Sequence, residues 1–96
     1  MIKTITIQVG NSDNKLSQSD WHLFVLKIGR ILDSWAKNIH FSGGSASDAA
    51  WQNYCWVIEI DLNQEFEEGL KESLTNCRIE FNQDSLAYTE GKTLFV

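Results

Sequence analysis

Proline is absent from these 96 residues, and cysteine and positive charge are both scarce. With no proline, no repeat and no low-complexity tract, nothing reads as a linker, so residues 1–96 are expected to form a single domain. The two cysteines, Cys55 and Cys77, fall at no metal-ligand spacing, and neither His22 nor His40 has a ligand partner at usable spacing. No metal and no other cofactor is expected. One disulfide fits the cysteine count, but a reduced pair packed in the core of a cytoplasmic protein is the better reading.

Lysine and arginine number 8 against 13 aspartates and glutamates, a net charge of −5. That balance argues against nucleic acid as the direct partner, because phosphate neutralisation needs clustered cations. It suits solubility, or a basic protein partner. No apolar run approaches the roughly 20 residues needed to cross a bilayer. The opening "MIKTITIQVG" alternates and does not form a signal-peptide core, so it reads as a first strand, with no membrane partner.

What is present is a well-distributed core. Apolar residues make up 43% of the chain and are spread along its length, which excludes a disordered protein. From Lys3 to Val9, Ile5, Ile7 and Val9 point one way and Thr4, Thr6 and Gln8 the other. Ser17 then caps a helix, with Asp20 three residues on as an approximate capping box. Trp21, Phe24, Val25, Ile28, Ile31, Leu32 and Trp35 form its apolar face. Gly29, in mid-helix on that face, costs about 1 kcal/mol against alanine and suggests close approach to a sheet. A second strand runs from Asn38 to Ser42, followed by "SGGSASDAA". "QNYCWVIEI" is the clearest strand, with Tyr54, Trp56, Ile58 and Ile60 on one face and Cys55, Val57 and Glu59 on the other. Asp61 or Asn63 caps a second helix, whose stripe is Leu62, Phe66, Leu70, Leu74 and Cys77, with Gly69 beside it. "RIEF" is either the helix exit or a short strand. "SLAYTEGKTLFV" is a last strand, either single or bent back on itself at "EGK".

The order β-α-β-β-α-β, with right-handed crossovers and paired hairpin strands, specifies an α+β fold, the ferredoxin-like plait. Its four-stranded antiparallel sheet carries both helices on one face, and the first and third strands are central. This path gathers Gly10–Lys15, Ser42–Asn53 and Asn82–Asp84 at one end. The other end has only the tight connections "WAKN" and "EIDLN". The expected ligand-binding residues are therefore Asn11, Ser12, Asp13, Lys15, Trp51, Gln52, Asn53, Gln83 and Asp84, with Asp48 nearby. Amides and hydroxyls there offer directional donors and acceptors. Lys15 and the opening N–H groups of the first helix favour an anion, and Trp51 offers a stacking surface. Asp13, Asp48 and Asp84 would repel phosphate unless they face ribose hydroxyls or a cation. The alternative is that Asn, Ser, Asp and Gly simply make turns there.

Other residues have plainer roles. Trp21, Trp35 and Trp56 fall on apolar faces and belong to the core, and His22 and His40 are structural or surface residues. Cys55 has no evident His partner. "QEFEEGLKE" reads as a solvated helix face, acidic toward the helix's positive end. The segments "IQVGNSDNKLSQSDW", "WQNYCWVIEI" and "NQDSLAY" resemble a group of small bacterial and phage proteins that carry Gly-Asn-Ser-Asp-x-Lys-Leu, Gln-Asn-x-Cys-Trp and Gln-Asp-Ser. That resemblance implies no particular activity. It implies that Gly10–Leu16, Gln52–Trp56 and Gln83–Ser85 matter, and a phage link points to anti-defence. The marks of an acylphosphatase (a phosphate-gripping Arg in the first loop), of a heavy-metal-binding domain (two Cys there) and of an RNA-recognition motif (exposed sheet aromatics) are missing. Without an attached enzyme domain, an amino-acid-sensing regulatory domain fits poorly too.

Three functions are then in play. The first is a non-catalytic, homodimeric binding module for a small polar or nucleotide-type ligand, such as a sequestering phage protein. The second is an acidic inhibitor of a nucleic-acid-handling host protein, using Glu65, Glu67, Glu68 and Glu72. The third is a small hydrolase with Asp13 or Asp84 as base and Lys15 stabilising negative charge.

Overall fold

A computed structural model describes residues 2–11, 13, 15–46, 49–61, 63–92, 94 and 96. Its elements are β1 (Ile2–Gly10), α1 (Gln18–Trp35), β2 (Asn38–Gly44), β3 (Asn53–Asp61), α2 (Gln64–Glu80) and β4 (Ala87–Gly91). The strands form one antiparallel sheet in the order β2-β3-β1-β4. The ferredoxin-like plait expected from the sequence is the fold observed, with β1 and β3 at its centre.

Alternation decides which side of the sheet the helices cover. Ile5, Ile7 and Val9 of β1 pair across to Ile58, Trp56 and Tyr54 of β3, so their side chains share a face. That face packs on Phe24, Ile28 and Leu32 of α1 and on Leu70, Leu74 and Cys77 of α2. Burying each such aliphatic side chain contributes roughly 1.5–3 kcal/mol. Ser17 Oγ accepts the Asp20 N–H and starts α1; Asn63 Oδ1 accepts the Phe66 N–H and starts α2. Leu62 lies outside the described residues.

"RIEF" is the helix exit. Asn82 N–H bonds to the Ile79 carbonyl and Gln83 N–H to the Arg78 carbonyl, while Asn82 sits at φ 54°. This is the left-handed helix stop that asparagine tolerates better than most residues. It turns the chain toward β4, which ends at Gly91; any bend back after that involves Thr93 and Phe95, outside the described residues.

Two expectations need correction. The cysteines are free, but only Cys77 is in the core; Cys55 is half-buried on the sheet face that no helix covers. Gly29 does not mark a tight approach, because a Cβ there would stand 3.8 Å from Trp56 Nε1, an ordinary contact. Of the two helical glycines the tight one is Gly69, where a Cβ would come within 2.6 Å of the Trp35 ring.

β2 carries an irregularity that the sequence does not announce. Ile39 pairs with Ile58 and Phe41 with Val57, with a register shift between them. Two residues that would normally share a face are thereby sent to opposite sides. Ile39 lies on the helix side and Phe41, 56% exposed, on the open side, so that face carries an exposed aromatic that the sequence pattern does not place there.

Candidate functional site

The strand ends place the three polar segments on one rim. Gly10 at the end of β1 pairs with Asn53 at the start of β3, and Gln8 pairs with Ala87 at the start of β4. The end of β1 therefore divides the rim into a flank toward β3 and a flank toward β4.

The β3 flank is an internal amide framework. Asn11 is 2% exposed and Gln52 4%. Asn11 Nδ2 donates to the Leu16 carbonyl and to Gln52 Oε1, both at 3.1 Å, and its Oδ1 accepts the Leu16 N–H at 3.0 Å. Its backbone N–H bonds to the Gln52 carbonyl at 2.8 Å. Gln52 and Gln18 exchange a pair of amide bonds at 2.7 and 3.0 Å. These bonds answer why so polar a segment separates β1 from α1: one buried asparagine closes the loop on itself and ties it to the β2–β3 hairpin. Asn53 is exposed and bonded locally to Ser45 and Trp51. Trp51 is 68% exposed, as a stacking residue would be. Ser12 and Asp48 lie outside the described residues.

The β4 flank holds the charges. Lys15 Nζ is 2.8 Å from Asp84 Oδ2 and 3.9 Å from Asp13 Oδ2, and Asp13 Oδ1 accepts the Lys15 N–H. The Lys15 hydrogen bond holds the Asp84 carboxyl below its ordinary value, and Asp84 in turn raises Lys15. Arg78, which sequence reasoning passed over, reaches from the last turn of α2. Its Nη1 donates to the Gln83 and Asp84 carbonyls at 2.8 and 3.1 Å. Gln83 is buried, with its amide on the Phe81 carbonyl.

Two hollows meet at this flank. A recess of about 350 Å³ is lined by Gln8, Val9, Gly10, Asp13 and residues 83–87. A groove of about 510 Å³ runs between α2 and β4, past Lys71, Leu74, Arg78, Tyr88 and Glu90. Asp84, Ser85 and Leu86 line both. Ser85 closes the Gln83–Ser85 segment that the resemblance singled out, whereas Leu86 has no distinctive signal in the sequence. Trp51 and Asn53 line neither hollow.

Beneath the groove, Glu67 is only 12% exposed at its side chain and receives Lys3 Nζ at 3.1 Å and Tyr88 Oη at 2.9 Å. It is thereby drawn away from the exposed acids Glu65, Glu68 and Glu72 of α2. Burial and the Glu67 bond push the Tyr88 hydroxyl pKa well up. Among the described residues, no group of three or more His, Cys, Asp or Glu is placed to hold a metal ion. No helix among them is long and apolar enough to cross a membrane.

No known protein family and no curated protein matches the sequence. Solved structures match the fold. A dimeric ferredoxin-like protein of unknown function from Thermobifida fusca aligns at TM-score 0.63 and 8% identity, over 96% of this chain and 92% of its own. A de novo designed protein, Foldit4, aligns at TM-score 0.61 and 10% identity, over 97% of each chain. A dimeric ferredoxin-like protein from an uncultured marine organism aligns at TM-score 0.51 and 10% identity, over 99% of this chain and 91% of its own. Likeness at this level of identity establishes the class, a ferredoxin-like α+β plait, and nothing finer.

Proposed function

We propose that the protein is a non-catalytic binding module, a homodimer, that holds a small polar, nucleotide-type ligand on the β4 flank of the rim. The observation that carries this reading is the stretch Asp84–Leu86, which the two hollows share. The recess adds the carboxylate of Asp13, and the groove adds Lys71 and Arg78 beside Glu90. Carboxylates accept from sugar hydroxyls, and cations take phosphate oxygens. A nucleotide offers both groups a few ångströms apart. Asn11, Gln52 and Gln83 hold the rim in shape, and Trp51 and Asn53 stand ready on its β3 flank for a base that extends across.

Asp84 is poorly suited to act as a general base. A general base works best with a pKa near the operating pH, and the lysine beside Asp84 moves that carboxyl the wrong way. In a phage setting, holding without turnover amounts to sequestering a signalling nucleotide. The homodimer is supported by two solved proteins of the same fold that are described as dimeric.

The test is a thermal-shift series with adenosine, linear mononucleotides and cyclic mononucleotides. At least one raises the melting temperature of the wild type, and the rise is lost in Asp84→Ala and Arg78→Ala. If none of them shifts the wild type, the reading is wrong.

A further inference from the structure

We infer that the second copy docks on the helix-free face of the sheet, centred on Val57 and Cys55; this rests on the homodimer proposed above and deepens it. The face is defined by register. Thr4, Thr6 and Gln8 of β1 stand beside Glu59, Val57 and Cys55 of β3, and beside Gly91, Thr89 and Ala87 of β4. Phe41 joins them opposite Val57, sent to this side by the irregularity in β2, and is 56% exposed. Its ring lies over Gly43, where a Cβ would come within 2.9 Å of it.

Charge selects the occupant. The chain carries −5 overall, so two copies repel unless they meet where charge is sparse. Among the described residues, the acids of this face are Glu59 and Asp61, both toward one end of β3. Glu59 is bonded to His40 at 2.8 Å and to Asn38 at 3.2 Å, and Asp61 lies 3.8 Å from Lys37. The centre is threonine, valine, cysteine and alanine. Threonine hydroxyls both donate and accept, so a two-fold axis through this centre sets neutral residues against neutral ones and lets each hydroxyl find a complementary partner. At standard strand spacing and rise the four strands present roughly 500 Å² of face. Two copies thus bury about 1,000 Å², the lower bound for a specific interface, which makes a dimer that dissociates on dilution. Gln8 and Ala87 belong to both the face and the recess, so the docked copy borders the ligand site.

Sedimentation and Cys55 alkylation test this together. The mass of two chains is expected at high protein concentration and of one on dilution. Cys55 labelling should slow in step with the dimer fraction, while Cys77 stays buried throughout. Val57→Asp and, should that variant fold poorly, Thr6→Glu are expected to give folded monomers with fast Cys55 labelling. Ile39→Lys, on the helix side of edge strand β2, should leave the dimer intact. A dimer that survives both face substitutions, keeps Cys55 reactive or dissolves in Ile39→Lys overturns the face and leaves the homodimer standing. A monomer at every concentration overturns both.

Discussion

Asn11 Nδ2 lies 3.1 Å from Gln52 Oε1 and 3.1 Å from the Leu16 carbonyl, and this one amide joins the loop after β1 to the start of β3. Removing it strands several buried groups together. Asn11→Ala leaves the Leu16 N–H and carbonyl short of a partner and takes one of its donors from Gln52 Oε1, which keeps Gln18, a loss of about 1–3 kcal/mol in unfolding free energy. Asn11→Asp is no rescue, because it turns an acceptor toward the Leu16 carbonyl and Gln52 Oε1. Urea denaturation of the two variants checks both statements.

The two helical glycines should respond in opposite directions to alanine. At Gly29 the added methyl meets Trp56 Nε1 at ordinary contact distance, so Gly29→Ala should gain up to about 1 kcal/mol from helix propensity. At Gly69 it meets the Trp35 ring at 2.6 Å, and Trp35 is itself wedged edge-on against Phe66. Gly69→Ala should lose about 1–3 kcal/mol through overpacking. Thermal melts of the pair decide it.

Periodicity carried most of the fold. The alternation of Ile5, Ile7 and Val9 against Trp56, Ile58 and Ile60, and the helical spacing of Phe24, Ile28 and Leu32, are local patterns that state which face is buried. Topology then placed Asn11, Lys15, Gln52 and Asp84 on one rim. What the residues could not announce is where a polar side chain spends its bonds. Asn11 and Gln52 look like ligand contacts in sequence, and become framework only once Leu16 and Gln18 are folded beside them. Arg78 reads as an ordinary last-turn cation until the left-handed turn at Asn82 brings Asp84 back under it. The irregularity in β2 is likewise a matter of partner strand, and it decides the side on which Phe41 stands.

Acid should unfold the protein partly through Glu67. Its burial acts to raise the pKa, but the bonds from Lys3 and Tyr88 outweigh this and hold it below the ordinary 4.5. In the window between the folded and unfolded values the unfolded chain binds more protons, so stability rises with pH there. The contribution is present above the unfolded value and is lost as pH falls through the folded one. Glu67→Gln removes that titration while keeping an acceptor for Tyr88. Its melting temperature should be lower than wild type at neutral pH and fall less steeply on acidification below the ordinary value. Parallel slopes would remove Glu67 from the account.

The Lys15–Asp84 pair makes a sharper claim, because it separates a structural role from a binding one. Both side chains are exposed, at 40% and 88%, and an exposed ion pair contributes little to stability in water. Lys15→Ala should therefore leave the melting temperature of the unliganded protein close to wild type. The local electrostatics must change nonetheless. Lys15 is the first cause of the depressed Asp84 carboxyl, so in the variant that group should titrate nearer its ordinary value, as followed by carboxyl NMR. Arg78 still lowers it somewhat and limits the return. If the recess accepts sugar hydroxyls through Asp84, losing the lysine frees the carboxylate from its 2.8 Å partner. Nucleoside binding should then hold or strengthen, while phosphorylated ligands keep the groove cations Lys71 and Arg78. A uniform loss for nucleosides and nucleotides alike would mean that Lys15 shapes the loop, with no part in choosing its ligand.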